Sequence, residues 1–95
     1  MKERKNQFIK GMPTLIILDT NVERMNKCET SLLSAAKDIG VNINVDKVSD
    51  PLHLERLQVY DKIPAVQAGE MFWSMNNNRA FNSQEARRLL ALILG

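Results

Sequence analysis

Cysteine is nearly absent from this chain: among 95 residues there is one, Cys28. No intramolecular disulfide can form, so oxidation cannot staple the fold, and a reducing, cytoplasmic setting is the simplest expectation. Histidine is equally scarce. His53 stands alone, without cysteines or carboxylates at ligand spacing, so no metal site is expected. With one histidine no Ser-His-Asp set can be assembled, and no glycine-rich phosphate loop is present. Asp50 and Glu55 are ordinary acids at a helix start rather than a general acid/base pair. No apolar run approaches the ~20 residues needed to cross a bilayer. The basic start followed by the apolar stretch Met12 to Leu18 superficially suggests a secretory signal. That stretch is too short, contains Pro13, and ends in Asp19 without a small-residue cleavage pattern.

Charge of one sign is also lacking, except at one end. Residues 1–10 carry Lys2, Arg4, Lys5 and Lys10 against Glu3, a net of +3, while the remaining nine bases and ten acids give −1. Residues 1–12 are therefore expected to be a basic flexible tail, and 13–95 a single nearly neutral domain. No basic stripe with interleaved aromatics follows the tail, so nucleic acid is not an expected partner, nor is a membrane. What is present is ordinary globular material: 44% hydrophobic and 25% charged residues, enough for one core at this length.

Thr14 to Leu18 (TLIIL) is a short continuous run of β-formers, the pattern of a central strand covered on both faces. Thr20-Asn21-Val22-Glu23 predicts a capping box with Thr20 as the cap. The helix after it places Met25, Cys28, Leu32, Ala35 and Ile39 on one stripe, with Glu29, Ser34 and Lys37 away from it, and Gly40 as its stop. Val41 to Val48 alternates, with Val41, Ile43 and Val45 on the buried side, which predicts an edge strand. Asp50-Pro51 opens a second helix with Asp50 as cap, its apolar face supplied by Leu54, Leu57 and Leu52. Ile63-Pro64-Ala65-Val66 begins a third strand, and Gly69-Glu70 turns into a fourth, Met71 to Met75. Asn82 or Ser83, with Glu85, caps a last helix carrying Ala86, Leu89, Leu90 and Ile93. The expected class is α/β, in the order βαβαββα. Its first two strands should be parallel and its last two antiparallel, in a four-stranded mixed sheet with helices on both faces.

This order, together with Ile63-Pro64-Ala65-Val66, resembles the thioredoxin-like superfamily, in particular its small glutaredoxin-like and archaeal-type thioredoxin proteins. The resemblance covers about residues 13–95. It implies a cis proline at Pro64, placing a backbone edge beside a redox site where a peptide or glutathione pairs. The family carries Cys-x-x-Cys or Cys-x-x-Ser at the start of its first helix. Counting from Leu18, and back from Gly40, this chain reads Val22-Glu23-Arg24-Met25 there. Neither valine nor methionine can attack a disulfide, because exchange needs a thiolate.

Cys28 admits two readings. It is either a monothiol site or a small buried hydrophobe about two turns inside the helix, beyond the reach of the helix dipole. Trp73 and Phe72 point to opposite faces of the fourth strand. Either could be the core residue, and an outward Trp73 would be an interface candidate. Arg79, in a polar loop 76–79, is on its residues a solvated turn; the resemblance puts it near Pro64, where it would meet a carboxylate.

The leading functional expectation is a thioredoxin-like protein- or peptide-binding module without redox activity and without a cofactor. Its binding residues would be Asn21, Val22, Met25, Ile63, Pro64 and Arg79, with Val22 and Met25 forming an apolar surface beside a free backbone edge. The alternative is a monothiol glutaredoxin-like redox protein, a thiol–disulfide oxidoreductase, using Cys28. A third reading is a homodimer formed through the edge strand 41–48.

Overall fold

The computed structural model describes residues 13–74 and 79–94; the basic segment 1–12 and Met75 lie outside them. β1 (Thr14–Leu18) leads into α1 (Val22–Ile39), followed by β2 (Asn44–Val48) and α2 (Pro51–Arg56). A 3-10 turn at Tyr60–Lys62 precedes β3 (Ala65–Ala68), β4 (Met71–Ser74) and α3 (Ser83–Leu94). The strands form one sheet in the order β2-β1-β3-β4. β1 and β2 run parallel, whereas β1–β3 and β3–β4 are antiparallel. The chain is thus α/β with a mixed four-stranded sheet, in the order βαβαββα.

Continuous hydrophobicity in β1 reflects its central place, because both of its faces are covered. Leu15 and Ile17 face one way and pack with Val66 against Met25, Cys28, Leu32, Ala35 and Ala36 of α1 and Ala86, Leu89 and Leu90 of α3. Leu18 faces the other way and packs with Ala65 against Leu54 and Val59, with Ile16 and Val48 at the margin. Helices therefore lie on both faces, α1 and α3 on one and α2 on the other.

The exits of α1 and α2 use one device. Gly40 has φ 77°, its N–H donates to Lys37 O, and Val41 N–H donates to Ala36 O. This is the paired closure of a Schellman motif, in which the left-handed residue is usually glycine. At the end of α2 the same pattern recurs: Gln58 N–H donates to Glu55 O, and Val59 N–H to Leu54 O. Here the left-handed position is occupied by Gln58 at φ 63°. Val59 and Leu54 then meet in the second core, the apolar contact that accompanies such an exit.

Several expectations shift. The cap of α1 is Asn21 rather than Thr20: its side chain accepts from Arg24 N–H. β2 begins at Asn44 rather than Val41, because Val41 is spent closing α1 and the first ladder-end bond is Asn44 N–H to Pro13 O. Ile43 is still buried, and Val41 and Val45 pack at the margin of the main core, so the predicted buried side holds. Ile39 and Leu52 are exposed, while Ala36 joins the stripe in place of Ile39. Asn82 caps α3, accepting from Glu85 N–H as Glu85 accepts from Asn82 N–H, a reciprocal capping box. Trp73 packs against the main core and Phe72 is exposed.

Candidate functional site

The strand register defines one end of the sheet. Leu18 pairs with both Val48 and Ala65, and Ala65 pairs with Ser74. The loop 19–21 and the first turn of α1 leave the sheet at this end, and Ile63–Pro64 enter it there. The Ile63–Pro64 peptide is cis, Pro64 is fully buried, and Ile63 packs against the second core. Asn21, Val22, Ile63 and Pro64, separated by some forty residues in the chain, are thereby gathered at one end of the fold.

A carboxylate that sequence reasoning passed over organises this end. Asp19 is fully buried (0% exposed). Its Oδ1 accepts from Thr20 N–H at 2.7 Å, from Asn21 N–H at 3.2 Å and from Arg24 Nη2 at 2.6 Å; its Oδ2 accepts from Arg24 Nε at 2.6 Å. A buried charge needs a partner and hydrogen bonds, and Asp19 has both. The hydrogen bond to Asp19 also holds the Arg24 guanidinium above its already high ordinary pKa. The only sequence signal was an acid directly after an apolar strand with a base five residues on. That spacing is not a helical neighbour spacing, and it becomes a contact only because Asp19 precedes the cap and curls back over the first turn.

Val22 is 62% exposed at the tip of α1, next to its cap. Met25 is different: at 4% exposed it belongs to the main core. The expected Val22/Met25 surface is corrected accordingly, because Met25 lies on the same stripe as Cys28 and Leu32 and that stripe faces inward. Arg79 pairs with the Glu85 carboxylate in a fork of 2.8 and 2.6 Å at the start of α3. Hydrogen bonding to Arg79, and then to the Asn82 N–H, holds the Glu85 carboxyl below the ordinary carboxylate range.

Cys28 is fully buried, at 0% exposed. Burial pushes its thiol pKa up, against a smaller lowering by a backbone hydrogen bond from Phe81. Both the missing access and the direction of the shift suppress the thiolate that exchange chemistry needs. His53 is exposed, and among the described residues no cluster of three or more His, Cys, Asp or Glu side chains could hold a metal. Among the same residues no helix is long and apolar enough to cross a membrane.

This end of the molecule therefore offers an exposed aliphatic side chain and a helix tip braced by a buried ion pair, with Pro64 itself buried. Among the described residues it offers no accessible thiol. No protein-family model, no curated protein and no solved structure matches the chain.

Proposed function

We propose that the chain is a protein- or peptide-binding module of thioredoxin-like architecture that has no redox activity, and that it binds at the end of the sheet where Val22 and Pro64 lie. One observation carries this reading. The chain's single thiol is sealed in the core at Cys28, while the tip of α1 presents the exposed aliphatic Val22. A redox protein needs the reverse arrangement, with a thiol at the tip where the helix end and solvent access promote the thiolate. The Asp19–Arg24 pair supports the reading by fixing the tip without a disulfide, so that a partner meets a preorganised surface and little ordering is lost on binding.

The test is selection of extended peptides from a displayed library against the folded domain. Enriched peptides should bind the wild type, lose most of their affinity for Val22→Arg, and keep it for Leu92→Arg, an exposed control on α3. Failure to enrich any sequence, or equal binding by Val22→Arg, would refute the proposal. Cys28-dependent reduction of a disulfide substrate would replace it with the monothiol enzyme.

A further inference from the structure

The sheet has two edges, β2 and β4, and they are built differently. β2 carries exposed Asp46 and Lys47. Lys47 Nζ is tied to Glu29 at 3.0 Å and to Asn26 at 3.1 Å, so an ion pair links the strand to α1. Charged side chains, lysine above all, are how proteins keep an edge from pairing with another strand. Among the described residues β4 has no such charged side chain on its strand. Its residues are Met71, Phe72, Trp73 and Ser74, with Met71 61% and Phe72 38% exposed.

The backbone of β4 is aimed outward at Phe72. Gly69 and Glu70 form a two-residue hairpin loop, so the closing pair Ala68–Met71 exchanges hydrogen bonds, as does Val66–Trp73 two residues on. Gln67–Phe72 is then a non-bonded pair, and the N–H and C=O of Phe72 point away from β3. A residue with both groups directed outward can exchange both bonds with the same residue of an antiparallel strand.

We infer that β4 is a self-pairing edge through which two copies of this chain join antiparallel about a two-fold axis at Phe72, forming one continuous eight-stranded sheet. Opposed residues must share a sheet face, and this register satisfies that. Phe72 meets the Phe72 of the second copy on the α2 face, and Met71 meets Trp73 on the other, an aromatic pair and a sulfur–aromatic pair. The charges select a second copy as the occupant. Glu70 precedes β4, and Lys62 sits at the opposite end of it, where Ser74 Oγ donates to Lys62 O. Within one copy the two are separated by the length of the strand. In the two-fold register Glu70 lies opposite Ser74 of the second copy and hence beside its Lys62, and the symmetry repeats the pair. Four strand residues make a small contact, so the dimer is a weak one that forms at high concentration. The contact is centred on Phe72 and uses neither Val22 nor Pro64, although its Lys62–Ser74 corner lies at the same end of the sheet as they do.

Sedimentation velocity of the full chain across ~5 μM to ~1 mM covers the range in which a small interface associates. The wild type should pass from monomer to dimer within it. Phe72→Lys, at an exposed position, should stay monomeric with unchanged circular dichroism. Glu70→Lys should weaken association by about tenfold, since two like-charge pairs are created. The double variant Lys62→Glu/Glu70→Lys should restore it, which a loss of folding or a different partner surface would not produce. A wild type that is monomeric throughout, a dimer indifferent to Phe72→Lys, or a double variant no better than Glu70→Lys would each overturn the inference.

Discussion

Arg24 grips both carboxylate oxygens of Asp19, Nε on Oδ2 and Nη2 on Oδ1, each at 2.6 Å, across the cap that separates β1 from α1. The carboxylate has no exposed surface and the guanidinium keeps about a fifth of its own. Removing one member strands a buried charge or empties four hydrogen bonds at once. Asp19→Asn and Arg24→Ala should each lower unfolding stability by about 3 kcal/mol, at the lower end for a buried pair because Arg24 still touches water. Urea denaturation measures this; a loss below about 1 kcal/mol, the range of a surface pair, would contradict the bracing role.

Gln58 and Gly40 occupy the same place in two copies of one exit motif, at φ 63° and 77°. A side chain in the left-handed region costs about 1 kcal/mol, partly offset for glycine by its greater freedom when unfolded. Gln58→Gly should therefore raise stability by up to about 1 kcal/mol, and Gly40→Ala should lower it by about the same. A Cβ at Gly40 would meet nothing within 4 Å, so that loss is conformational rather than steric. Thermal unfolding of the two variants should move in opposite directions.

Glu85 is held below the ordinary carboxylate range by Arg79 and then by the Asn82 N–H. A carboxylate lowered in the folded state adds stability above its unfolded pKa, about 4.3 for glutamate. That contribution fades as pH falls through the lower folded value. Wild-type stability should decline below about pH 4 more steeply than that of Glu85→Gln, whose neutral amide has no proton to take up. Parallel curves for the two proteins from pH 6 to 3 would count against the pair.

Val22 and Met25 lie three residues apart on α1 and differ in kind, one at the surface and one in the core. Met25→Ala should cost about 2–4 kcal/mol through the space it leaves. Val22→Ala should change stability by no more than about 0.5 kcal/mol. Equal losses in chemical denaturation would mean that the helix is rotated so that Met25 does not face the core.

Much of this architecture was legible in the chain because its signals are local. TLIIL needs no context to read as a central strand, Asp50-Pro51 marks a helix start, and Gly69-Glu70 marks a hairpin. The cap of α1 lies one residue beyond the one the sequence suggests, because Thr20 and Asn21 are both good capping types. What chooses Asn21 is Asp19, which already engages the N–H groups of Thr20 and Asn21. Ile39 fits the buried stripe by spacing alone. It lies in the last turn, next to the exit at Gly40, and Ala36 takes the inward place. The Asp19–Arg24 pair and the Arg79–Glu85 fork bridge cap or loop residues to a helix at spacings of five and six, which no periodicity reports. The burial of Cys28 was half legible, since the stripe pointed inward while the lone thiol left the opposite reading open.

The most direct measurement is titration of the native protein with a chromogenic disulfide reagent near pH 8, with and without denaturant. With Cys28 sealed between α1 and the sheet, native protein should not react beyond the slow rate set by unfolding, and denatured protein should release one thiol per chain. Fast stoichiometric reaction of the native protein would place a working thiolate at the surface and contradict the redox-inactive reading.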